Sequence, residues 1–168
     1  MRAHPPNIVI ACWIAAALAA LILGSGDAGA FTRLKAVTVS NSLDSVSEFR
    51  PRIHGDAIVW QRGSGTGAEV MRRDGNLTVN MTSNGVADEN PETDGIHVVW
   101  QQGSAGGRNI ATFDLLTGTT TILSSPGDEI FPLVSGTTLG WIQMVDADGE
   151  VFVDPGPVGN QLTGNALV

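Results

Sequence analysis

The stretch Pro51–Gln61, PRIHGDAIVWQ, decides the fold because it occurs three times along the chain. It recurs as PETDGIHVVWQ at 91–101 and as PLVSGTTLGW at 132–141. In each copy a glycine lies four residues after the proline and a tryptophan nine residues after it, so successive tryptophans are 40 and 41 residues apart. The recurring positions are Pro51, Gly55, Trp60, Pro91, Gly95, Trp100, Pro132, Gly136 and Trp141. A fixed period of this length indicates a repeat architecture.

Each repeat is predicted to contain four short β-strands. In the second repeat the strands are expected near 91–94, 96–102, 108–114 and 119–124. Val98, Val99 and Trp100 form a continuous apolar triplet, which is typical of a strand that is covered on both faces. After residue 30, glycine and proline interrupt every window that has a helical period. The sequence therefore predicts an all-β fold.

Four strands every 40 or 41 residues are typical of β-propeller blades. We expect about three four-stranded antiparallel blades, at 48–88, 89–128 and 129–168, in an incomplete ring. The proline is predicted at a strand start, where its missing N–H donor costs nothing. The glycine is predicted in a turn with positive φ, and the tryptophan in the core between blades rather than on a sugar-binding surface. An acidic residue, Glu48, Glu89 or Glu129, precedes each proline.

The repeats resemble the blades of TolB-like β-propellers, particularly the variant blades of secreted and cell-surface bacterial and archaeal proteins. The stretch Asn109–Gly118, NIATFDLLTG, is the best match, and the resemblance covers about residues 36–168. It implies an exported protein that serves as a protein-binding platform or as a non-catalytic propeller beside an enzymatic domain. A shared fold is an analogy and does not by itself assign a function.

The number of blades departs from that family, whose propellers usually close with six or more. The chain supplies about three blades and one segment, Lys35–Ser40, that is expected to be a spare outer strand within a leader at 31–47. Three interpretations stay open: two chains complete a ring, the blades form an open wedge, or the chain is a truncated version of a longer propeller. An open wedge would expose large apolar blade faces, which soluble monomers avoid. Self-association or truncation is therefore favoured.

The first 30 residues are expected to be a secretory signal peptide. A start that carries Arg2 is followed by an apolar run, Ile8–Leu23, and then by small residues. Cleavage is predicted after Ala30, because Ala28 and Ala30 form the A-x-A end of such a signal. The apolar run is shorter than the roughly 20 residues that span a bilayer, so a retained anchor is the weaker alternative, and a lipidated Cys12 is weaker still. The mature protein is expected to be secreted or periplasmic, with no stable membrane anchor.

The charge and cysteine content exclude several classes of partner and site. Without residues 1–30, eight basic and sixteen acidic residues leave a net charge of −8. The basic residues are scattered and form no stripe that would neutralise phosphates, so nucleic acid is not an expected partner. Cys12 is the only cysteine and would leave with the signal. No disulfide, thiol nucleophile or thiolate metal site is therefore expected.

The histidines and the glycine-rich loops do not form a recognisable site. His54 and His97 lie at different repeat positions, and no third metal ligand accompanies them. The glycine-rich stretches at 63–67 and 103–107 lack the Lys-Ser/Thr ending of a phosphate-binding loop. We interpret both as hairpin loops between second and third strands, and we expect no catalytic residue and no cofactor.

The acidic segment Asp146–Glu150, DADGE, superficially suggests a calcium loop. The twelfth position from Asp146 is Pro157, where such a loop needs a bidentate glutamate. An Asp-Gly pair is also an ordinary hairpin signal. We therefore expect a turn here and no bound metal.

The favoured hypothesis is a non-catalytic module that binds a protein or a cell-envelope polymer through its loops and axial face. A second hypothesis is a propeller-class hydrolase or lyase that uses carboxylates near the axis. The pairs Asp88-Glu89 and Asp128-Glu129 recur in the chain, but recurrence indicates a structural role between blades. A third hypothesis treats the chain as a truncated fragment of a longer propeller. Whether the protein is an enzyme stays open, with a non-enzyme favoured.

Overall fold

The computed structural model describes residues 45–154 and 160–163, which form three four-stranded antiparallel sheets. Blade 1 consists of β1 (Glu48–His54), β2 (Ala57–Arg62), β3 (Glu69–Asp74) and β4 (Leu77–Asn80). Blade 2 consists of β5 (Asp88–Thr93), β6 (His97–Gln102), β7 (Asn109–Asp114) and β8 (Thr119–Leu123). Blade 3 consists of β9 (Asp128–Ser135), β10 (Thr138–Val145), β11 (Asp148–Asp154) and β12 (Asn160–Gln161).

Within each blade the strands are hydrogen-bonded in chain order, as in a propeller blade. The predicted all-β array of three four-stranded blades is confirmed. The predicted signal peptide with Ala28 and Ala30, and the predicted spare strand at 35–40, lie outside the described residues. No helix within the described part of the chain has the length and apolar character needed to cross a membrane.

The predicted position of the prolines at strand starts is wrong. β1, β5 and β9 each begin three or four residues before their proline, so Pro51, Pro91 and Pro132 lie inside the strands. The strand pairing shifts at each of these places, which marks a β-bulge. A bulge leaves one residue outside the hydrogen-bonded ladder, so a proline there sacrifices no ladder bond.

The residue before each proline has a left-handed backbone conformation. The φ values are 50° for Arg50, 54° for Asn90 and 52° for Phe131. Left-handed φ is uncommon for residues other than glycine and costs about 1–3 kcal/mol per residue. Because the same conformation occurs in all three blades, the bulge is a repeated structural element.

The recurring glycines lie in the hairpin turns between the first and second strands. Gly55, Gly95 and Gly136 have φ values of 57°, 89° and 57°. At Gly95 a side chain would also meet the His54 ring of blade 1, because a Cβ built there lies 3.1 Å from the His54 Cδ2. Backbone conformation and close approach together require glycine at this position.

The hydrophobic core lies between the blades rather than within any one of them. Val59 and Val70 of blade 1 pack against Val98, Trp100 and Ala111 of blade 2. The same arrangement between blades 2 and 3 brings together Val99, Ile110, Leu139 and Trp141. The middle strands of blade 2 are therefore covered on both faces by apolar contacts, which explains the continuous apolar triplet Val98–Trp100.

The recurring prolines and tryptophans belong to this inter-blade packing. Trp60, Trp100 and Trp141 are all buried. Pro91 and Pro132 are also fully buried, whereas Pro51 in blade 1 is exposed. Trp100 and Trp141 each contact the preceding blade and contribute a large apolar area to the contact between blades.

Candidate functional site

The first strands of the three blades lie next to one another and form one continuous surface, which we call the axial face. The residues on either side of the recurring proline differ from blade to blade. The preceding residue is Arg50, Asn90 or Phe131, and the following residue is Arg52, Glu92 or Leu133. The axial face therefore changes from basic at blade 1 to apolar at blade 3.

A cavity of about 440 Å³ opens along the axial face, and we call it the axial groove. One wall contains the six residues that flank the prolines. The opposite wall belongs to the surface of blade 3 that faces away from blade 2, and it includes Gly140, Ile142, Val151 and Val153. Ligand sites typically occupy about 300–1,000 Å³ and are mostly apolar with a few polar groups, so the axial groove has the size and lining of a binding site.

The basic end of the axial groove contains two arginines in different states. Arg52 forms an ion pair with Glu92 of blade 2 and donates a hydrogen bond to the Pro51 carbonyl oxygen at 3.2 Å. The Arg50 side chain is exposed and has no hydrogen bond or ion pair with any residue of 45–154 or 160–163. An exposed ion pair contributes little to stability, so these arginines are better explained by an interaction with solvent or with a ligand than by the fold.

The surface that each blade turns toward the following blade is called its exit face. On blade 1 the Gln61 Oε1 accepts a hydrogen bond from the backbone N–H of Asn90 at 3.2 Å. On blade 2 the Gln101 Oε1 accepts one from the backbone N–H of Phe131 at 3.4 Å. Both donors are the left-handed residues of the bulges, so the glutamines hold each bulge against the preceding blade. Blade 3 has Ile142 at the equivalent position.

The strand pairing corrects the assignment of the recurring acidic residues. Glu48 pairs with Arg62, Asp88 with Gln102, and Glu129 with Gln143. All three acids lie three residues before a proline and opposite the residue two after a tryptophan. Asp88, and not Glu89, is therefore the equivalent of Glu48 and Glu129. The sequence comparison was wrong by one residue because two adjacent acids precede Pro91.

Asp88 and Glu129 are both buried, and Asp88 accepts hydrogen bonds within its own blade whereas Glu129 accepts one from the preceding blade. Asp88 accepts from the Trp100 indole N–H at 2.7 Å and from the Gln102 amide at 2.8 Å. Glu129 accepts from the Ile110 backbone N–H, in the preceding blade, at 2.9 Å. Neither carboxylate lines the axial groove.

The neighbouring acids also have structural partners. Glu89 accepts from the Gln101 amide at 3.1 Å. Asp128 accepts from the backbone and side chain of Arg108 at 2.9 and 3.0 Å. These contacts support the interpretation that the recurring acids have a structural role.

His97 begins β6, and His54, the last residue of β1, places its ring against the turn between β5 and β6. The His97 Nδ1 lies 3.2 Å from the Asp94 carboxylate, whereas the His54 ring lies against Gly95. Burial raises the pKa of Asp94, but hydrogen bonds from the backbone N–H groups of His97 and Ile96 and from the His97 ring outweigh burial, so this pKa lies below its usual value. Within the described residues no three His, Cys, Asp or Glu side chains converge as metal ligands would.

The acidic segment after β10 is a tight hairpin turn. Asp146 and Ala147 have φ values of 49° and 69°, as a two-residue type I′ turn requires. The turn lies two residues earlier than the Asp148-Gly149 pair that indicated it. The glycine-rich stretches at 63–67 and 103–107 lie between second and third strands, as predicted.

Sequence analysis did not identify the axial groove, although the sequence contains a signal for it. Gly140 and Ile142 stand where blade 1 has Val59 and Gln61. Comparison of the repeats for positions that differ, rather than for positions that agree, would have marked both residues. Which surface they share with Arg50 can be read only from the structure.

One solved structure supports the propeller-type fold. TolB from Acinetobacter baumannii superimposes with a TM-score of 0.54 and 18% sequence identity, over 70% of this chain and 32% of that protein. The tricorn protease matches with a TM-score of 0.34 and 18% identity, over 71% of this chain and 13% of that protein. The chain therefore spans about a third of the TolB structure. No protein-family model matches the chain, and no curated protein matches its sequence.

Proposed function

We propose that the chain is an exported, non-catalytic propeller-type module that binds a protein or a cell-envelope polymer through its axial face. The supporting observation is the axial groove. Residues that join the blades, such as Gln61 and Gln101, are repeated, whereas the residues on either side of each proline, which line the groove, differ from blade to blade. A surface that served only to pack blades would repeat with them, so the groove is better explained by a partner.

Export is proposed from the N-terminal sequence alone. Residues 1–30 have the charged, apolar and small-residue regions of a signal peptide. In this proposal a leader at 31–47 precedes three repeats at 48–88, 89–128 and 129–168. The likeness to TolB supports the fold of the repeats and assigns no partner to this chain.

The test uses two exposed leucines that differ in position. Leu133 is 63% exposed and lines the axial groove, whereas Leu116 is 82% exposed and lies in the turn between β7 and β8. The purified chain and the variants Leu133→Asp and Leu116→Asp are used to capture partners from an envelope extract of the organism that makes the protein. We expect a partner that the wild type and Leu116→Asp retain and that Leu133→Asp loses.

Two outcomes would overturn the proposal. One is the absence of any partner; the other is equal retention of the partner by all three proteins, which would move the interaction away from the axial face. Circular dichroism of both variants ensures that a lost partner reflects the surface and not the fold.

Self-association is proposed as the alternative way to cover the exit face of blade 3. A second chain that completed a ring would bury the exposed Val151 and the groove around it. Light scattering of the purified chain distinguishes the cases: a dimer supports ring completion, and a monomer that melts cooperatively supports a free groove. An aggregating species without a cooperative transition would support the interpretation as a fragment of a longer propeller.

A further inference from the structure

The exit face of blade 3 is built differently from the exit faces of blades 1 and 2. On blades 1 and 2 this surface is covered by a following blade and contains a valine and a glutamine, namely Val59 and Gln61 or Val99 and Gln101. Blade 3 has Gly140 and Ile142 at these positions. The two differences affect packing and hydrogen bonding separately.

Gly140 removes the side chain that fills the contact between blades. Val59 and Val99 are almost completely buried in the two inter-blade cores. With glycine at this position, blade 3 has a depression in place of a valine, and that depression forms part of the axial groove. A further blade of the same type would leave a cavity there, and cavities destabilise a core.

Ile142 removes the acceptor that a following blade would need. Gln61 and Gln101 each accept a hydrogen bond from the left-handed residue of the next bulge. Against Ile142 the corresponding N–H would be buried without a partner, which would destabilise the contact. The exit face of blade 3 is therefore unsuited to another blade of this type and suited to a different, apolar occupant.

The basic end of the groove defines the charge of that occupant. Arg50 and Arg52 face one acid, Glu92, in a chain whose net charge is −8. Their surplus positive charge complements an anion. Val151, Val153 and Ile142 line the other end with apolar groups. The groove is thus complementary to a small group that combines a carboxylate with an apolar side chain.

We propose that the axial groove binds the free C-terminus of a partner polypeptide that ends in an apolar residue. The terminal side chain occupies the depression at Gly140, and the terminal carboxylate accepts hydrogen bonds from Arg50. A volume of about 440 Å³ holds one or two residues rather than a long segment, and a chain terminus places a carboxylate beside an apolar side chain in the smallest space. The inference rests on the proposed function, because it specifies the partner of that axial face.

Three pools of short peptides with random apolar-rich ends test the source of the carboxylate. The first pool has free C-termini, the second is amidated, and the third is amidated with an internal glutamate next to an apolar residue. The immobilised chain should enrich peptides of the first pool alone. Equal enrichment of the amidated pool, preference for the glutamate pool, or no enrichment would each overturn the inference.

Substitutions within the groove test its position. In Gly140→Val the new Cβ would lie 3.6 Å from the nearest atom, the Phe152 carbonyl oxygen, which is ordinary contact, so the variant should fold. Gly140→Val and Arg50→Glu should each weaken binding of a selected peptide by about tenfold or more, which corresponds to the loss of one charged hydrogen bond or one buried apolar group. Arg73→Glu, on the outer part of blade 1, is the control and should bind as the wild type does.

Val151→Asp is a second groove variant in case Gly140→Val alters the fold. Unchanged binding by folded Gly140→Val or Val151→Asp would overturn the inference. If no peptide is enriched but Leu133→Asp still loses a partner from the envelope extract, the C-terminal specificity is wrong and the proposed function stands. If that partner is also absent, the proposed function is wrong.

Discussion

The contact between blades 1 and 2 and the contact between blades 2 and 3 use the same backbone and different side chains. In both, the backbone N–H of an acid before the bulge donates to a carbonyl of the preceding blade at 2.9 Å, Asp88 to Ala68 and Glu129 to Arg108. The Asp88 carboxylate accepts a hydrogen bond from the Trp100 indole of its own blade. The longer Glu129 side chain accepts one from the Ile110 N–H of the preceding blade. One methylene group decides which donor the carboxylate satisfies.

Hydrogen bonds near the outer strands of the blades compensate for this difference in the partners of Asp88 and Glu129. In blade 1 the Thr82 hydroxyl accepts from the Val70 N–H and donates to Glu69 of the same blade. At blade 2 the Glu129 carboxylate accepts both from the Ile110 N–H and from the Ser125 hydroxyl, because Asn109 occupies the position of Glu69. A repeat can therefore keep its buried donors satisfied when one blade supplies a carboxylate to the blade before it.

Blade 3 follows blade 1 in this respect. The Val151 N–H donates to the Thr163 hydroxyl, which donates to Glu150 of the same blade. The outer edge of blade 3 thus needs no carboxylate from a following blade.

Truncation of the tryptophans should give the largest difference in stability between the two contacts. Trp100 is 2% exposed and bonded to Asp88, whereas Trp141 is 6% exposed, stacks on Phe152 and has no acceptor for its indole N–H within the described residues. Trp100→Ala and Trp141→Ala should each lower the free energy of unfolding by about 3–5 kcal/mol. Trp100→Ala should lie at the upper end because it also leaves Asp88 without its indole donor. Urea denaturation measures both, and an equal or reversed order would contradict the comparison.

Removal of the Glu129 carboxylate should have the next largest effect on stability. Glu129→Ala should lower the free energy of unfolding by about 2 kcal/mol, because the buried Ile110 N–H loses its acceptor. Adding Asn109→Glu should restore part of the loss, since it gives blade 2 the arrangement that Glu69 provides in blade 1. Asn109→Glu in the wild-type background is the control. If the double variant is no more stable than Glu129→Ala, the two edges are not interchangeable.

The glutamines that hold the bulges should contribute less. Gln61→Leu and Gln101→Leu should each cost about 1–2 kcal/mol, because a bulge N–H is left unpaired. Ile142→Gln should change stability by no more than about 0.5 kcal/mol, because it faces no bulge in the described chain. A clear stabilisation by Ile142→Gln, measured by thermal unfolding, would reveal that another blade does pack on blade 3.

The smallest effect is expected at the hairpin turns of blade 2 and depends on pH. The pKa of Asp94 is lowered as described above, and the pKa of Asp114 is lowered by the backbone N–H groups of Thr117 and Leu116. Lowered pKa values stabilise the fold above the unfolded-state value of about 3.9, and that stabilisation is lost as pH falls through the lower folded-state values. Asp94→Asn should therefore flatten the fall in Tm on acidification below about pH 4. A Tm profile identical to that of the wild type would show that Asp94 does not contribute.

The sequence predicted the blades more accurately than it predicted the details of their contacts. The spacing of Pro91, Gly95 and Trp100 gave the number and order of strands, because each residue meets a requirement that is local to one hairpin or strand. The bulge escaped prediction because a proline is compatible with a strand start and with a bulge, and only the pairing partner distinguishes them. The equivalence of Asp88 with Glu129 likewise required the register of two strands.

The candidate site was hidden for a related reason. The axial groove joins Arg50 of blade 1 to Gly140 and Val151 of blade 3, which are about 90 and 100 residues away along the chain. No periodic pattern connects such residues, because periodicity reports what the blades share, and Arg50, Gly140 and Ile142 are residues in which the blades differ.

The sequence alone determined that this protein is an array of three antiparallel blades with tryptophans packed between them, because alternation, turn residues and a fixed repeat are properties of neighbouring residues. The tertiary structure decided which carboxylate satisfies which buried donor and which residues hold the bulges of blades 2 and 3. It also decided that Gly140 and Ile142 of blade 3 line the same groove as Arg50 of blade 1. Those outcomes depend on distances between side chains of different blades. Side-chain length and strand register fix these distances only once the chain has folded.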